Sequence, residues 1–144
     1  MSVAELLRTV PFAHGADLSI VHSEPGHAVV RIPHVPGNLN HVGTIHAAAL
    51  VLVGETAGGL ALLSHPSLSP YLLLAKGLAI RYRRPAPAGC NAHARVTDEE
   101  VEQAVAAVEA AGKVDLPLRI EVRSDEGELL AELTVDYHLR KRNQ

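Results

Sequence analysis

Asn38-Leu-Asn-His-Val-Gly-Thr-Ile-His-Ala-Ala-Ala-Leu-Val-Leu-Val-Gly-Glu-Thr-Ala-Gly-Gly-Leu-Ala-Leu-Leu63 is the stretch whose reading decides the fold. From Ile45 to Leu63 it reads as one helix of Ala, Leu and Val, with Thr44 placed to cap its start. The helix is apolar nearly all round, which predicts burial nearly all round. Glu55 is its only charge. A lone carboxylate in such surroundings has to be paired, hydrogen-bonded or neutralised, because an isolated buried charge is costly. That makes Glu55 the first candidate for chemistry. A bilayer-spanning reading fits poorly, although about 20 apolar residues would suffice. Glu55 sits in mid-span, Gly54, Gly58 and Gly59 weaken the helix, and no aromatic or basic flanks anchor it.

Toward the N-terminus, Ser2-Val-Ala-Glu5 predicts a capping box opening a short helix over about 3–10, ended by Pro11 and Gly15. Asp17 to His22 and His27 to Val35 read as two strands joined by the Glu24-Pro-Gly26 turn. Gly37 to Gly43 is then the loop that delivers the helix. On the other side, Ser64 to Pro70 is a loop, and Tyr71 to Arg84 a long strand, apolar until Arg81, Arg83 and Arg84. Cys90 to Val96 follows as a strand. Thr97-Asp-Glu-Glu100 opens an amphipathic helix over about 98–111 with Val101, Val105 and Val108 on one face, closed by Gly112. Leu118, Ile120 and Val122 alternate with charged residues. The clearest strand places Leu129, Ala131, Leu133, Val135, Tyr137 and Leu139 inward. The sum is an α+β layout, β-β-α-β-β-α-β-β, in which an antiparallel sheet wraps a long central helix.

With 144 residues the chain is expected to be a single domain over 1–144, its core at about 17–140. A net charge of −3 gives no electrostatic case for nucleic acid or an anionic membrane. Cys90 is the single cysteine, so neither a disulfide framework nor a cysteine metal site is available. The first residues lack the layout of a signal peptide, and a cytoplasmic location is expected. Nine histidines prompt a test for metal ligation. His41 and His46 are five apart, His14, His22, His27 and His34 are scattered, and no HExxH pattern occurs, so no metal is expected.

The element order, together with Asn40, Gly43-Thr-Ile-His-Ala-Ala48 and Gly54-Glu-Thr-Ala-Gly-Gly59, resembles the hotdog-fold acyl-CoA thioesterases of the phenylacetate-pathway type. In that family an Asn, a His-Gly-Gly and an Asp or Glu recur at the same offsets. The Arg81-Tyr-Arg-Arg-Pro-Ala-Pro-Ala-Gly89 segment is similar to the family's long strand and turn, and the helix at 98–111 is like one branch of the superfamily. The resemblance implies hydrolysis of an acyl-CoA or acyl-carrier thioester. In this reading Glu55 is general base or nucleophile, and Asn40 orients water or the thioester. Helix N-terminal N–H groups near His46 and Ala47 donate to the developing oxyanion, and His46 is a candidate second donor. Coenzyme A enters only as part of the substrate, so no cofactor is expected, and Arg81, Arg83 and Arg84 are candidates to meet its phosphates. One departure matters: His46-Ala47-Ala48 stands where the family has His-Gly-Gly. An Ala backbone still supplies the donor, but its methyl narrows the approach of a carbonyl.

Each assignment has a plainer competitor. Glu55 can be a structural carboxylate hydrogen-bonded across a subunit interface, His46 a helix cap, and the arginines a solvated strand end. The alternative function is a non-enzymatic acyl-thioester binder. A hydratase or dehydratase on the same fold is disfavoured, since neither an Asp-His pair nor a His-Phe-Pro motif precedes the helix. Ala47 and Glu55 are eight residues apart on one helix, about 12 Å along its axis. One chain therefore struggles to bring both to one carbonyl, and a homodimer or dimer of dimers with antiparallel central helices is expected.

Overall fold

The computed structural model describes residues 2–143. Two short helices, α1 (Val3–Arg8) and α2 (Pro11–Gly15), precede the strands β1 (Ser19–Glu24) and β2 (His27–Ile32). The central helix α3 (Ala47–Leu63) and strands β3 (Leu72–Tyr82) and β4 (Cys90–Arg95) follow. The chain ends with α4 (Asp98–Ala111), β5 (Lys113–Ser124) and β6 (Leu129–Arg140). The six strands form one sheet in the order β1-β2-β4-β5-β6-β3, every neighbouring pair antiparallel. Helix α3 lies across one face of this sheet, chiefly on β2 and β4, and α4 packs on β5. This is the α+β, hotdog architecture of a sheet wrapped around a helix.

The sequence signals account for most of these elements. Ser2 with Glu5, and Thr97 with Glu100, form the two reciprocal capping boxes, and Gly112 closes α4 at φ 83°. In β6 the alternation holds from Ala131 to Leu139, each inward residue packing into the core with Val53, Ala57, Leu62 and Ile120. Pro117 is tolerated in β5 because the strand has outrun β4 there, so no neighbour needs its missing N–H.

Four local expectations are corrected. Pro11 does not merely end the first helix but opens α2 from its first position, where a missing N–H costs nothing. The central helix begins at Ala47 rather than Ile45, and its cap is His46, not Thr44. A bulge between β5 and β6 buries Leu130 and leaves Leu129 half-buried. Finally, α3 is not buried all round: Val51, Glu55, Thr56 and Gly59 are half-buried along one flank. That flank looks toward β3, which is an edge strand. No helix among the described residues is long and apolar enough to cross a membrane.

The glycines of α3 have a packing cause. A Cβ on Gly54 would fall 2.7 Å from Leu133 Cδ2, and one on Gly58 would collide with the Tyr137 hydroxyl. Four residues apart, they make a notch on one helical face that receives Leu133 and Tyr137, two inward side chains of β6 that are also four residues apart. The helix thereby sits close to the sheet.

Candidate active site

The start of α3 is fixed from both sides of the chain. The His46 N–H donates to the Asn38 carbonyl at 2.8 Å, and the Ile45 N–H to the Ala86 carbonyl at 2.9 Å. His46 Nδ1 accepts from the Ala48 N–H at 2.9 Å, which places the proton of the neutral ring on Nε2. The Ala49 and Leu50 N–H groups reach the His46 carbonyl. The Ala47 N–H has no partner among the described residues. It sits at the positive end of the helix on an exposed residue, a position suited to an oxyanion.

Asn40 builds the preceding loop. Its Oδ1 accepts from the N–H groups of Val42 at 3.0 Å and Thr44 at 3.1 Å, and its Nδ2 donates to Thr44 Oγ1 at 2.8 Å. Thr44 is thus occupied by Asn40, which explains why it does not cap α3. One amide hydrogen of Asn40 remains to orient a ligand. Beside this loop a cleft of about 410 Å³ gathers Asn40, Ala47, Tyr82, Arg83 and Arg84.

Glu55 lies elsewhere, two turns further along α3. It lines a separate cleft of about 220 Å³ with Leu6, Leu7 and Val10 of the N-terminal segment, Leu60 and Leu63 of α3, and Leu73 of β3. Burial against these apolar side chains pushes its carboxyl above the usual range. Neither an ion pair nor a side-chain hydrogen bond to Glu55 occurs among the described residues. A carboxyl raised in this way holds its proton more readily than an exposed one, a perturbation common at functional sites.

The three arginines separate in the structure. Arg83 bonds Glu132 through Nε at 2.9 Å and Nη2 at 2.7 Å, and Arg84 pairs with Glu128 at 2.8 Å. Arg81 forms no ion pair among the described residues and lines an outer-face cleft with Arg83, Arg119 and Glu132. One chain therefore brings Asn40, Ala47, Arg83 and Arg84 to one cleft, places Arg81 with Arg83 in a neighbouring one, and keeps Glu55 in a third.

Two residues were missed by sequence reasoning. The Tyr82 hydroxyl donates to the Ala47 carbonyl at 2.8 Å, tying β3 to the first turn of α3. The Tyr137 hydroxyl donates to the Glu55 carbonyl at 2.7 Å. Tyr137 was legible as an inward residue of β6, whereas nothing in the pattern around Tyr82 marked its role. The contribution of the N-terminal helices to the Glu55 cleft was equally unmarked.

Solved structures share this architecture. A Pseudomonas aeruginosa protein of unknown function, described as a probable thioesterase, is 29% identical over 96% of both chains with a TM-score of 0.86. A mutant of a thioesterase enzyme from Staphylococcus aureus is 18% identical over 91% of this chain and 99% of its own, with a TM-score of 0.73. The E. coli PaaI protein of the phenylacetic acid degradation operon is 20% identical over 98% of this chain and 91% of its own, with a TM-score of 0.74. At their lower identities the last two bear on the fold alone. No curated protein matches the chain. A family model described as a domain of unknown function (DUF4442) matches residues 2–139, and the chain belongs to that family within the hotdog-fold thioesterase superfamily.

Proposed function

We propose that the protein hydrolyses an acyl thioester, with coenzyme A or an acyl carrier as the thiol half of the substrate. The observation that carries this reading is a pair on one helix: an Ala47 N–H with no partner among the described residues and a desolvated carboxyl at Glu55. Thioester hydrolysis needs those two functions, a donor for the oxyanion and a group to activate water or attack directly. In the base-catalysed form, Glu55 takes a proton from water as its oxygen bonds to the carbonyl carbon. The carbonyl oxygen gains charge against the Ala47 N–H. Collapse then breaks the C–S bond, and the departing thiolate takes up a proton.

The separation of about 12 Å along α3 supports a site whose two functions come from different copies of the chain. Two α3 helices running antiparallel about a two-fold axis set Glu55 of one protomer beside the partner subunit's Ala47. The half-open flank of α3 and the free edge of β3 support this arrangement. Leu74 is 53% and Leu78 39% exposed on that strand. A pair of such dimers would form the dimer of dimers.

A second reading, a non-enzymatic acyl-thioester binder, rests on Ala47-Ala48 in place of two glycines and on the engagement of Asn40 in its own loop. A panel of acyl-CoA thioesters with a thiol reagent separates the two. Thiol release abolished by Glu55→Gln supports hydrolysis. Saturable binding with no thiol release from any member supports the binder.

A further inference from the structure

We propose that the β1–β2 hairpin carries a binding site for a divalent transition-metal ion, formed by His22, Glu24 and His27. The histidines read as scattered in the sequence, and that reading is revised by the hairpin. Glu24 and His27 are directly opposed across the two strands, and His22, two residues before Glu24, shares its face. This is the outer face of the sheet, since Ala28, Val30 and Ile32 point the other way into the core.

The geometry suits a small cation. His22 Nε2 lies 3.2 Å and His27 Nδ1 3.1 Å from the same carboxylate oxygen, Glu24 Oε1. All three ligand atoms fall within 4.8 Å of one another. Zinc–ligand bonds of about 2.0–2.2 Å put neighbouring ligands of a tetrahedral ion about 3.3–3.6 Å apart. The two nitrogen–oxygen separations are already close to this, and a rotation of the exposed His22 side chain closes the third. Backbone placement is set by the strand ladder, so only rotamers need to change. Two imidazoles and one carboxylate favour zinc, nickel or copper over magnesium or calcium, and three protein ligands leave a position for water. One neighbour opposes the ion. Arg95, opposite His27 on β4, holds Nη2 3.2 Å from His27 Nδ1 and adds positive charge where the metal would sit. Its long exposed side chain has to swing away. The hairpin site is separate from both the Glu55 and the Ala47 clefts, so it does not depend on the hydrolytic reading.

The test is calorimetric titration of the full chain, stripped of metal by a chelator, with zinc chloride in a non-coordinating buffer. One saturable equivalent per chain is expected. His22→Ala and His27→Ala should each weaken it by at least about tenfold, the lower bound seen even for residues that only support a ligand. His14→Ala and His41→Ala should leave it unchanged, and Arg95→Ala should tighten it several-fold. Circular dichroism establishes that each variant is folded. Absence of a saturable equivalent overturns the site. So does unchanged affinity in folded His22→Ala and His27→Ala chains, or weaker binding on loss of Arg95.

Discussion

The Tyr137 hydroxyl donates a 2.7 Å hydrogen bond to the main-chain carbonyl of Glu55. The last inward aromatic of β6 thereby fixes the helical turn that carries the candidate carboxylate. The contact is possible because Gly58 leaves room for the ring, with Ile120 closing the other side. Sequence, packing and site meet here: a residue that weakens a helix leaves the space through which a tyrosine reaches the backbone beside Glu55.

Gly58→Ala is expected to destabilise the fold. Alanine favours a helix interior by about 1 kcal/mol over glycine, but overpacking a close contact costs about 1–3 kcal/mol. The Gly58 Cβ would strike both Tyr137 and Ile120, so the packing cost wins. Tyr137→Phe removes only the hydroxyl and should cost about 1 kcal/mol. Urea denaturation checks both, and a Gly58→Ala chain as stable as wild type would count against the close approach.

Glu55 should set an acid limb in the pH profile. Burial raises its carboxyl above the ordinary value of 4.5, and the working form is the carboxylate. Activity, measured as kcat/KM, should fall as the medium is acidified through that raised value, at a pH above the ordinary carboxylate range. Glu55→Gln should lower turnover by at least about 100-fold. The stability effect has the opposite sign. Between 4.5 and the raised value the folded chain holds a proton that the unfolded chain has lost, so stability declines as pH rises through this window. Glu55→Gln should therefore unfold at a higher temperature than wild type above the window, and the difference should vanish below it. Melting curves across pH test this, and a variant less stable than wild type at neutral pH would contradict it.

The architecture was legible where local signals agreed with the global fold. The alternation of β6, the Thr97–Glu100 capping box and the apolar run of α3 each pointed to the element that forms. Misreadings arose where a residue had a partner outside its own window. Thr44 fails to cap α3 because the Asn40 amide takes its hydroxyl, and His46 takes over. The long apolar strand is β3, and its place at the edge of the sheet was not legible, because periodicity reports side-chain character and not which neighbour is present. The meeting of His22 with His27 needed the hairpin register, which no spacing motif encodes.

Among the basic residues, Arg81 should matter most to a coenzyme A substrate. Arg83 and Arg84 are engaged by Glu132 and Glu128, so a phosphate has to compete for them, whereas Arg81 forms no ion pair among the described residues. Arg81→Ala should raise KM for acyl-CoA in a salt-sensitive way, with a smaller effect from Arg84→Ala. Steady-state kinetics on acyl-CoA and on a short acyl thioester without the nucleotide provide the check. An equal rise in KM for both substrates would show that Arg81 acts on something other than phosphate.

Activity should require two chains. The Ala47 N–H and the Glu55 carboxyl line different clefts of one protomer, about 12 Å apart along a single rigid helix. A base must come within about 3 Å of the atom it serves, and a glutamate side chain leaning toward the helix N-terminus recovers only part of the gap. The free edge of β3 offers unpaired backbone groups and exposed leucines for a second copy. Leu78→Arg, on the side of β3 that faces α3, should shift the chain to a monomer in light scattering and abolish thiol release. The sharper check is complementation. A Glu55→Gln chain and a chain altered at both Asn40 and His46 should each be inactive. After subunit exchange, mixed dimers hold one intact site and should regain a fraction of wild-type turnover. Verified exchange without recovery, or a fully active monomer, would place the whole site within one chain.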